Sequence, residues 1–296
     1  MTGNEKSNKL PPWIKIDFRH DGEVLELKKE LRRKNLHTVC EEARCPNLCE
    51  CFGKKKTATF MILGDKCSRN CRFCNINHTT PEKVDPDEPA KIAEMVRSMG
   101  LLHAVITSVT RDDLPDGGSG HFAETIKEIR KVSNATIEVL TPDFKGVEKD
   151  RKRVSIEKPE IFNHNVETVR ELYSRVRPEA DYDRSLAFLK GIKNDNRNML
   201  SKSGIMVGLG ETDEQLKRLL SDLAETGVDI FTCGQYLRPS KLNIEVQKYL
   251  EPEWFERFAE TARSYGIKNV YASPFTRSSY NASEIIASIR KDLKNA

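Results

Sequence analysis

Long hydrophobic runs are missing from this sequence of 296 residues. No stretch of eighteen consecutive apolar residues occurs, which excludes a transmembrane helix. The first ten residues are polar and lack the apolar core of a secretory signal. No basic stripe interleaved with aromatic residues appears, so nucleic-acid binding is not indicated. Together these absences favour a cytoplasmic protein that contacts neither membrane nor nucleic acid.

The composition is typical of a soluble globular protein, with 38% apolar and 32% charged residues. Its length accommodates one large α/β domain or two small ones. The net charge of +4 weakly favours an acidic macromolecular partner, although an ordinary mixed-charge surface explains it better. Eight cysteines in a cytoplasmic protein favour metal ligands over disulfides.

Seven of the cysteines fall into two clusters separated by fifteen residues. The second cluster is a C-x3-C-x2-C triplet of Cys67, Cys71 and Cys74. The first is a C-x4-C-x5-C triplet of Cys40, Cys45 and Cys51, with Cys49 inside it. Each triplet offers three thiolates, one fewer than the four that usually close a zinc or iron–sulfur site. A triplet therefore suits an iron–sulfur cluster with one iron left open, and a zinc ion with a distant fourth ligand is the alternative.

From Thr57 onward, short apolar runs alternate with amphipathic helical patterns. They predict strands at 57–64, 103–109, 136–140, 161–164, 203–208, 229–232 and 268–272. Helices are predicted at 88–99, 121–132, 169–176, after the capping box at 212–215, and at 252–265. Such alternation implies parallel strands with right-handed crossovers, and six or so units suit an open, partial (β/α)6 barrel. The ligand site is then expected at the carboxyl ends of the strands, where the Cys67 loop leaves the first strand.

The second triplet, with Phe73 before its last cysteine, resembles the motif of the radical S-adenosylmethionine (SAM) superfamily. Further segments narrow the resemblance to the lipoyl synthases. They lie at 41–51, 57–64, 105–114, 116–118, 162–165, 177–182, 202–211, 234–237 and 277–280. The resemblance covers residues 36–283, nearly the whole chain.

The resemblance implies an α/β partial barrel, SAM as cofactor and two [4Fe–4S] clusters. Cys67, Cys71 and Cys74 are expected to hold the cluster whose remaining iron chelates SAM. Cys40, Cys45 and Cys51 are expected to hold an auxiliary cluster, with Ser279 as a weaker fourth ligand. Residues 1–56 are assigned to an N-terminal extension carrying the auxiliary cysteines and 57–275 to the barrel. Residues 276–296 are assigned to a C-terminal segment that closes over the barrel and carries the Arg277-Ser-Ser-Tyr280 motif.

The implied activity is insertion of two sulfur atoms at C6 and C8 of an octanoyl chain amide-linked to a lysine, with the auxiliary cluster as sulfur donor. The expected carriers are lipoyl domains of 2-oxoacid dehydrogenase acyltransferase subunits and the glycine-cleavage H protein. An electron donor such as ferredoxin or flavodoxin and a cluster-repair protein are further expected partners. Two alternatives stay open: another sulfur-inserting radical SAM enzyme, biotin-synthase-like or methylthiolating, and a non-enzymatic iron–sulfur electron carrier.

Other residues are weaker candidates. Glu138, polar within an apolar strand, and Asn163, at a strand end, are candidates to contact the adenosyl group of SAM. Three further features are explained as well by ordinary structure as by a role in the site. Asp112 and Asp113 suit solvated loop charges, Arg177 suits a cap at a helix end, and the turn at 208–210 suits a plain strand-to-helix turn. Cys233, alone in a strand, is interpreted as a buried, inert thiol. Cys49, which the family pattern does not require, is predicted to be dispensable.

Overall fold

The computed structural model describes residues 10–14, 22–42, 51 and 56–278. Seven parallel strands form one sheet in which each strand pairs with the next along the chain. They are β2 (Thr57–Ile62), β3 (His103–Ser108), β4 (Thr136–Leu140), β5 (Ile161–Asn163), β6 (Leu200–Val207), β7 (Ile230–Gln235) and β8 (Asn269–Ser273). A two-residue strand, β1 (His37–Thr38), pairs antiparallel with β2. The predicted open, partial barrel is confirmed, with a seventh parallel strand at its end.

Helices connect the strands on one side of the sheet, as right-handed crossovers require. The described helices are α1 (Gly22–Arg33), α2 (Val39–Glu42), α3 (Glu88–Ser98), α4 (Ser119–Val132), α5 (Glu148–Ile156), α6 (Tyr173–Val176), α7 (Tyr182–Asp195), α8 (Asp213–Thr226) and α9 (Pro252–Ser264). None of the helices in the described part of the chain is long and apolar enough to cross a membrane.

Helix α8 shows how local sequence sets an element that the pattern predicts. The Thr212 hydroxyl accepts the backbone N–H of Gln215, and the Gln215 side chain accepts the N–H of Thr212, so the capping box is confirmed. Gly227 ends the helix in a left-handed conformation with φ +74°. The predicted inward leucines are all buried against the sheet: Leu216, Leu219, Leu220 and Leu223.

The connection between β5 and β6 departs from the prediction. The apolar stripe at 169–176 forms only a 3-10 turn (Arg170–Leu172) and the four-residue α6, and the long crossover helix is α7. Pro178 follows that stripe closely, and Asp181 caps α7 by accepting the N–H of Arg184 at 2.7 Å. Helix α5 was also not predicted, because its buried residues are mostly polar and give no apolar period: Asp150, Arg151, Val154 and Ser155.

The described part of the N-terminal segment packs onto the barrel. Strand β1 extends the sheet beside β2, and Leu31 and Leu36 are buried in the main core. The segment boundaries at 56/57 and 275/276 stay predictions. Cys45, Cys49 and Ser279 lie outside the described residues, as does the side chain of Cys40.

Candidate active site

The loop that connects β2 to α3 carries the second cysteine triplet and leaves the sheet at the carboxyl ends of the strands. The Cys67 N–H donates to the Asn77 carbonyl at 2.8 Å, and the Cys74 N–H donates to the Cys71 carbonyl at 3.0 Å. These bonds fold the loop back on itself, so that all three thiols lie within one short, internally bonded segment. All three cysteines are free and partly buried.

We refer to residues 63–87, between β2 and α3, as the cysteine loop. Backbone N–H groups point at two of its sulfur atoms. The Cys67 Sγ accepts the N–H of Thr110 at 3.3 Å and that of Arg69 at 3.5 Å, and the Cys74 Sγ accepts the N–H of Ile76 at 3.5 Å. Burial raises the pKa of Cys74 to about 12 and also raises the pKa of Cys71. These thiols therefore stay protonated near neutral pH unless a metal binds them, while the N–H groups are placed to stabilise metal-bound thiolates.

Arg69, between the first two cysteines of the loop, fastens it to the barrel. Its guanidinium pairs with Asp112 (Nε to Oδ2, 2.6 Å) and with Asp143 (Nη2 to Oδ1, 2.6 Å). Asp143 also accepts from Arg184 at 2.6 Å. Burial alone would raise the pKa of Asp143, but the two arginines hold it well below its usual range. Asp112 is thus part of a clamp that joins the loop to the ends of β3 and β4 and to α7, whereas the partly exposed Asp113 pairs with Arg111.

Arg177 lies beneath the cysteine loop and has an unusual set of partners. Its Nη1 donates to the carbonyls of Asn165 and Val166 and to the Tyr173 hydroxyl, at 3.0, 3.3 and 3.1 Å. Its guanidinium also lies close enough to the Cys71 thiol to oppose the rise that burial causes in the pKa of that thiol. Among the described residues it forms no ion pair with a carboxylate, and its Nε is buried without a partner. The Glu167 and Asp143 carboxylates attract this charge from a distance, but neither forms an ion pair with the guanidinium, so the protein holds a positive charge able to attract an anionic group beside Cys71.

A group of buried polar atoms lies at the carboxyl ends of three neighbouring strands. Five such atoms have no hydrogen-bond partner within the described ranges: Ser108 Oγ, Thr141 Oγ1, Asn163 Oδ1, His164 Nε2 and Asn165 Oδ1. They belong to residues at or just after the ends of β3, β4 and β5. Because buried polar groups in folded proteins are normally hydrogen-bonded, this edge of the sheet is suited to a small polar ligand.

Glu138 and Asn163 meet inside the barrel. The Glu138 carboxylate pairs with the Lys202 ammonium at 3.0 and 3.1 Å, and both side chains are fully buried. Asn163 Nδ2 donates to Glu138 Oε1 at 3.0 Å. Burial opposes ionisation of Glu138, but the charge of Lys202 and the hydrogen bonds leave its pKa below the ordinary value. The Glu138 oxygens are thus engaged by protein groups, while the Asn163 amide oxygen is left free; their contact with an adenosyl group stays a prediction.

Comparison with known proteins places the chain in a family. Residues 61–223 match the model of the radical SAM superfamily, and residues 1–45 match that of the N-terminal domain of lipoyl synthase. The lipoyl synthase of Caldanaerobacter subterraneus is 50% identical over 272 residues, covering 92% of this chain and 95% of the relative. That of Halalkalibacterium halodurans is 47% identical over 299 residues, covering 100% and 99%. The chain belongs to the lipoyl synthase family.

Solved structures show the same fold at low sequence identity. SuiB of Streptococcus suis, bound to S-adenosylmethionine, has a TM-score of 0.57 and 13% identity, covering 85% of this chain and 60% of that one. The hydrogenase maturase HydG of Carboxydothermus hydrogenoformans has a TM-score of 0.57 and 13% identity, covering 91% and 78%. Both likenesses concern the barrel fold, and the family assignment rests on the lipoyl synthases.

Membership of this family makes the protein a radical SAM enzyme, with a [4Fe–4S] cluster and SAM as its cofactors. The described residues fit both groups. Three thiols in one loop, hydrogen bonds directed at two of their sulfurs and the buried Arg177 cation suit an anionic, thiolate-bound cluster. The five unpartnered polar atoms suit a polar cofactor at the same edge. Within the described ranges no three His, Cys, Asp or Glu side chains converge as a site for a single metal ion would require.

Contacts within the protein account for the conformation of the turn at 208–210 and for its first glycine. The Glu211 carboxylate accepts the N–H groups of Gly208 and Leu209 at 2.5 and 2.9 Å. Gly208 has φ +94°, and a Cβ there would lie 2.3 Å from both Gln235 Nε2 and the Lys248 carbonyl. Glycine is therefore required by the close packing of the following loop, whether or not a cofactor lies nearby.

Sequence reasoning missed two charged residues of the interior. Lys202 is a single lysine in a strand, and Asp143 is one of several loop carboxylates, so neither carries a local signal. Cys233 is fully buried in β7, and burial raises its pKa, as expected for an inert core thiol. Cys51 is partly buried against the core, but the rest of the auxiliary triplet lies outside the side chains that the structure describes.

Proposed function

We propose that this protein inserts two sulfur atoms, at C6 and C8, into an octanoyl chain carried on a lysine of a lipoyl-carrier domain. The observation that carries the proposal is the agreement of two findings. Lipoyl synthases match the chain at about half identity over nearly its full length, and the cysteine loop offers three thiols at the ligand edge of the barrel. The carbons to be modified have no acidity, so acid–base catalysis by side chains cannot activate them.

Two [4Fe–4S] clusters are part of this proposal. Cys67, Cys71 and Cys74 hold the one that binds SAM, and Cys40, Cys45 and Cys51 hold the auxiliary one, with Ser279 as fourth ligand. When bound, SAM and the two clusters supply a hydrogen-abstracting adenosyl radical and the sulfur atoms. The division is supported by the spacing of the cysteines and by the match of residues 1–45 to a lipoyl synthase domain.

The chain's own residues hold and shield these groups. The clamp from Arg69 to Asp112 and Asp143 fixes the cysteine loop against the barrel. Asn163, steadied by Glu138, presents an amide oxygen at the strand ends, where we assign it to the adenosyl group. We assign to the barrel the role of aligning the octanoyl chain and keeping water from a reactive intermediate.

The partners follow from the substrate. Octanoylated carriers are the lipoyl domains of 2-oxoacid dehydrogenase acyltransferase subunits and the glycine-cleavage H protein. A low-potential donor such as ferredoxin or flavodoxin supplies electrons, and a cluster-repair protein rebuilds the auxiliary cluster after its sulfur has been used.

Anaerobic incubation of reconstituted protein with an octanoyl-lysyl peptide, SAM and a reductant tests the proposal by mass spectrometry of the peptide. We expect the mass gain of two sulfur atoms and formation of 5′-deoxyadenosine. Replacing Cys67, Cys71 and Cys74 by alanine should abolish both products. Replacing Cys40, Cys45 and Cys51 should stop sulfur insertion while SAM cleavage continues.

Cys233→Ala is the matched control, because this cysteine belongs to neither triplet and should retain iron and activity. Cys49→Ala should also retain both. Sulfur insertion by the variant without Cys40, Cys45 and Cys51 would refute the assigned division between the clusters. Absence of sulfur insertion by the wild-type protein, with SAM cleavage intact, would refute the proposed substrate.

A further inference from the structure

The loop that follows β7 forms a tight turn beside the cysteine loop, and we refer to residues 238–243 as the rim turn. Asn243 Nδ2 donates to the Cys74 carbonyl at 2.7 Å. In the next residue, the Ile244 N–H donates to the Arg72 carbonyl at 3.0 Å, and the Ile244 carbonyl accepts from the Tyr236 hydroxyl at 2.8 Å. The rim turn is therefore fastened to the candidate active site and lies at the mouth of the barrel.

The rim turn is also braced internally. Arg238 Nε donates to the Asn243 carbonyl at 2.8 Å, and its Nη2 donates to the Lys241 carbonyl at 2.6 Å. The Ser240 hydroxyl donates to Asn243 Oδ1 at 2.7 Å and accepts the Leu242 N–H at 3.2 Å. Five hydrogen-bonded residues thus fix the position of the turn's tip before any partner arrives, which reduces the entropy cost of binding there.

Leu242, at that tip, is 98% exposed, the highest value among the large apolar side chains that the structure describes. The next two are Ile156, at 70%, and Leu102, at 67%. Those two lie at the opposite end of the barrel, because Leu102 directly precedes β3 and Ile156 ends the helix that leads into β5. Among the large apolar side chains that the structure describes, Leu242 alone combines nearly full exposure with a hydrogen-bonded position at the mouth.

The charges around Leu242 are mainly positive. Lys241 and Arg72 are exposed on either side of the contact between the rim turn and the cysteine loop. Arg238 faces Glu245 at 3.5 Å, so that carboxylate is already opposed by one cation. A partner surface that carries carboxylates beside an apolar patch complements this arrangement.

We propose that the rim turn docks the folded carrier domain, with Leu242 against an apolar patch and Lys241 and Arg72 facing acidic side chains next to the acylated lysine. This inference rests on the proposed function. The acyl arm is only as long as a lysine plus an eight-carbon chain. To place that chain inside the barrel, the body of the carrier must rest on the rim, where the exposed leucine and the cations are.

The test compares Leu242→Asp with Leu102→Asp, which adds the same charge at a similarly exposed leucine on the opposite end of the barrel. Each reconstituted variant is given an octanoylated carrier domain and, separately, a short octanoyl-lysyl peptide. Because the auxiliary cluster is consumed in one turnover, KM here is the substrate concentration that half-saturates the single-turnover rate. For Leu242→Asp we expect the ratio of KM for the domain to KM for the peptide to rise about tenfold, as for an interface residue of moderate importance. Leu102→Asp should leave the ratio unchanged.

Lys241→Glu supplies a second, independent readout. It should weaken calorimetrically measured binding of the octanoylated domain and reduce the dependence of that binding on salt concentration. This titration requires no turnover, so it still decides the docking proposal if the wild-type enzyme inserts no sulfur and the proposed function fails.

Three results would overturn the proposal. One is an equal effect of the two aspartate variants on the KM ratio. Another is an equal rise in KM for domain and peptide, which would place Leu242 in the reaction site itself. The last is a wild-type protein that sediments as a dimer and a Leu242→Asp variant that sediments as a monomer, with unchanged binding of the carrier domain. That result would show that a second copy of this chain occupies the rim turn.

Discussion

Two buried cations of the barrel, Lys202 and Arg177, differ in whether a carboxylate of the protein contacts them. Lys202 is fully buried and pairs with both oxygens of Glu138, so its counter-charge is part of the protein. Arg177 is buried among carbonyls, a phenol and the Cys71 thiol, and no carboxylate pairs with it within the described residues. The first cation is in direct contact with its counter-charge, whereas the second is attracted by Glu167 and Asp143 without contacting them. We infer that an anionic group at the cysteine loop completes the compensation of Arg177.

The difference indicates where the protein has been built for stability and where for function. Removing one partner of a buried ion pair such as Lys202 and Glu138 strongly destabilises the folded protein, because the other partner is left as an uncompensated buried charge. A cation that awaits its counter-charge lowers the stability of the cofactor-free protein and favours binding of the cofactor. The two sites therefore predict opposite responses when the cation is removed.

The largest effect is expected for Lys202→Met. This change strands the Glu138 carboxylate in the barrel and should lower the free energy of unfolding of the cofactor-free protein by about 3–5 kcal/mol. Urea unfolding monitored by circular dichroism measures it. Adding Glu138→Gln to Lys202→Met removes the stranded charge and should recover much of the loss; no recovery would show that the pair does not act as a unit.

A somewhat smaller effect concerns the pH dependence of stability at His164, which lies near Arg177. Burial, and then the charge of Arg177, lower the pKa of His164 from 6.5 to about 4. As pH falls from 6.5 to 4, the unfolded state takes up a proton that the folded state refuses, so stability should fall by roughly 3 kcal/mol and level off below pH 4.

Urea unfolding at several pH values tests this prediction, with His164→Gln as control, since its stability should lack this part of the slope. Arg177→Met removes a neighbouring positive charge, so the pKa of His164 should rise and the fall in stability should become smaller. An equal slope in wild-type protein and His164→Gln would mean that His164 titrates normally in the fold.

The smallest effect on the cofactor-free protein is expected for Arg177→Met. The change loses hydrogen bonds to two carbonyls and a hydroxyl, but it also removes a buried charge, and the net loss should be about 1 kcal/mol. The same urea unfolding experiment measures it beside Lys202→Met. A loss as large as that of Lys202→Met would contradict the comparison, because Arg177 would then be needed for the fold itself.

The sequence was most informative where one local signal determines one local structure. The capping box at Thr212, the glycine stop at Gly227 and the apolar strands all appear as predicted, because each depends on neighbouring residues. The cysteine spacing likewise identified the loop at 67–74. Helix α5 has a largely polar and charged buried face, which removes the apolar period. Helix α7 does carry a buried apolar stripe, at Tyr182, Phe188, Leu189 and Ile192, which the prediction overlooked.

The charged groups of the site could not be predicted, since their roles depend on distant partners. Lys202 and Glu138 are 64 residues apart and Arg69 and Asp143 are 74 apart, so no local pattern joins them. The sequence explains Arg177 equally well as a helix cap, and the fold is needed to show that it lies near Cys71. The family resemblance was sufficient to identify the cysteines, whereas the charged residues around them could be identified only from the fold.

We propose that Arg177 is a counter-charge of the cluster held by Cys67, Cys71 and Cys74. The most direct test is the reduction potential of that cluster, measured by spectroscopic titration in protein whose Cys40, Cys45 and Cys51 are replaced by alanine. A nearby positive charge favours the more negative, reduced cluster, so Arg177→Met should shift the potential to a more negative value and Arg177→Lys should shift it less. An unchanged or more positive potential in Arg177→Met would contradict the claim.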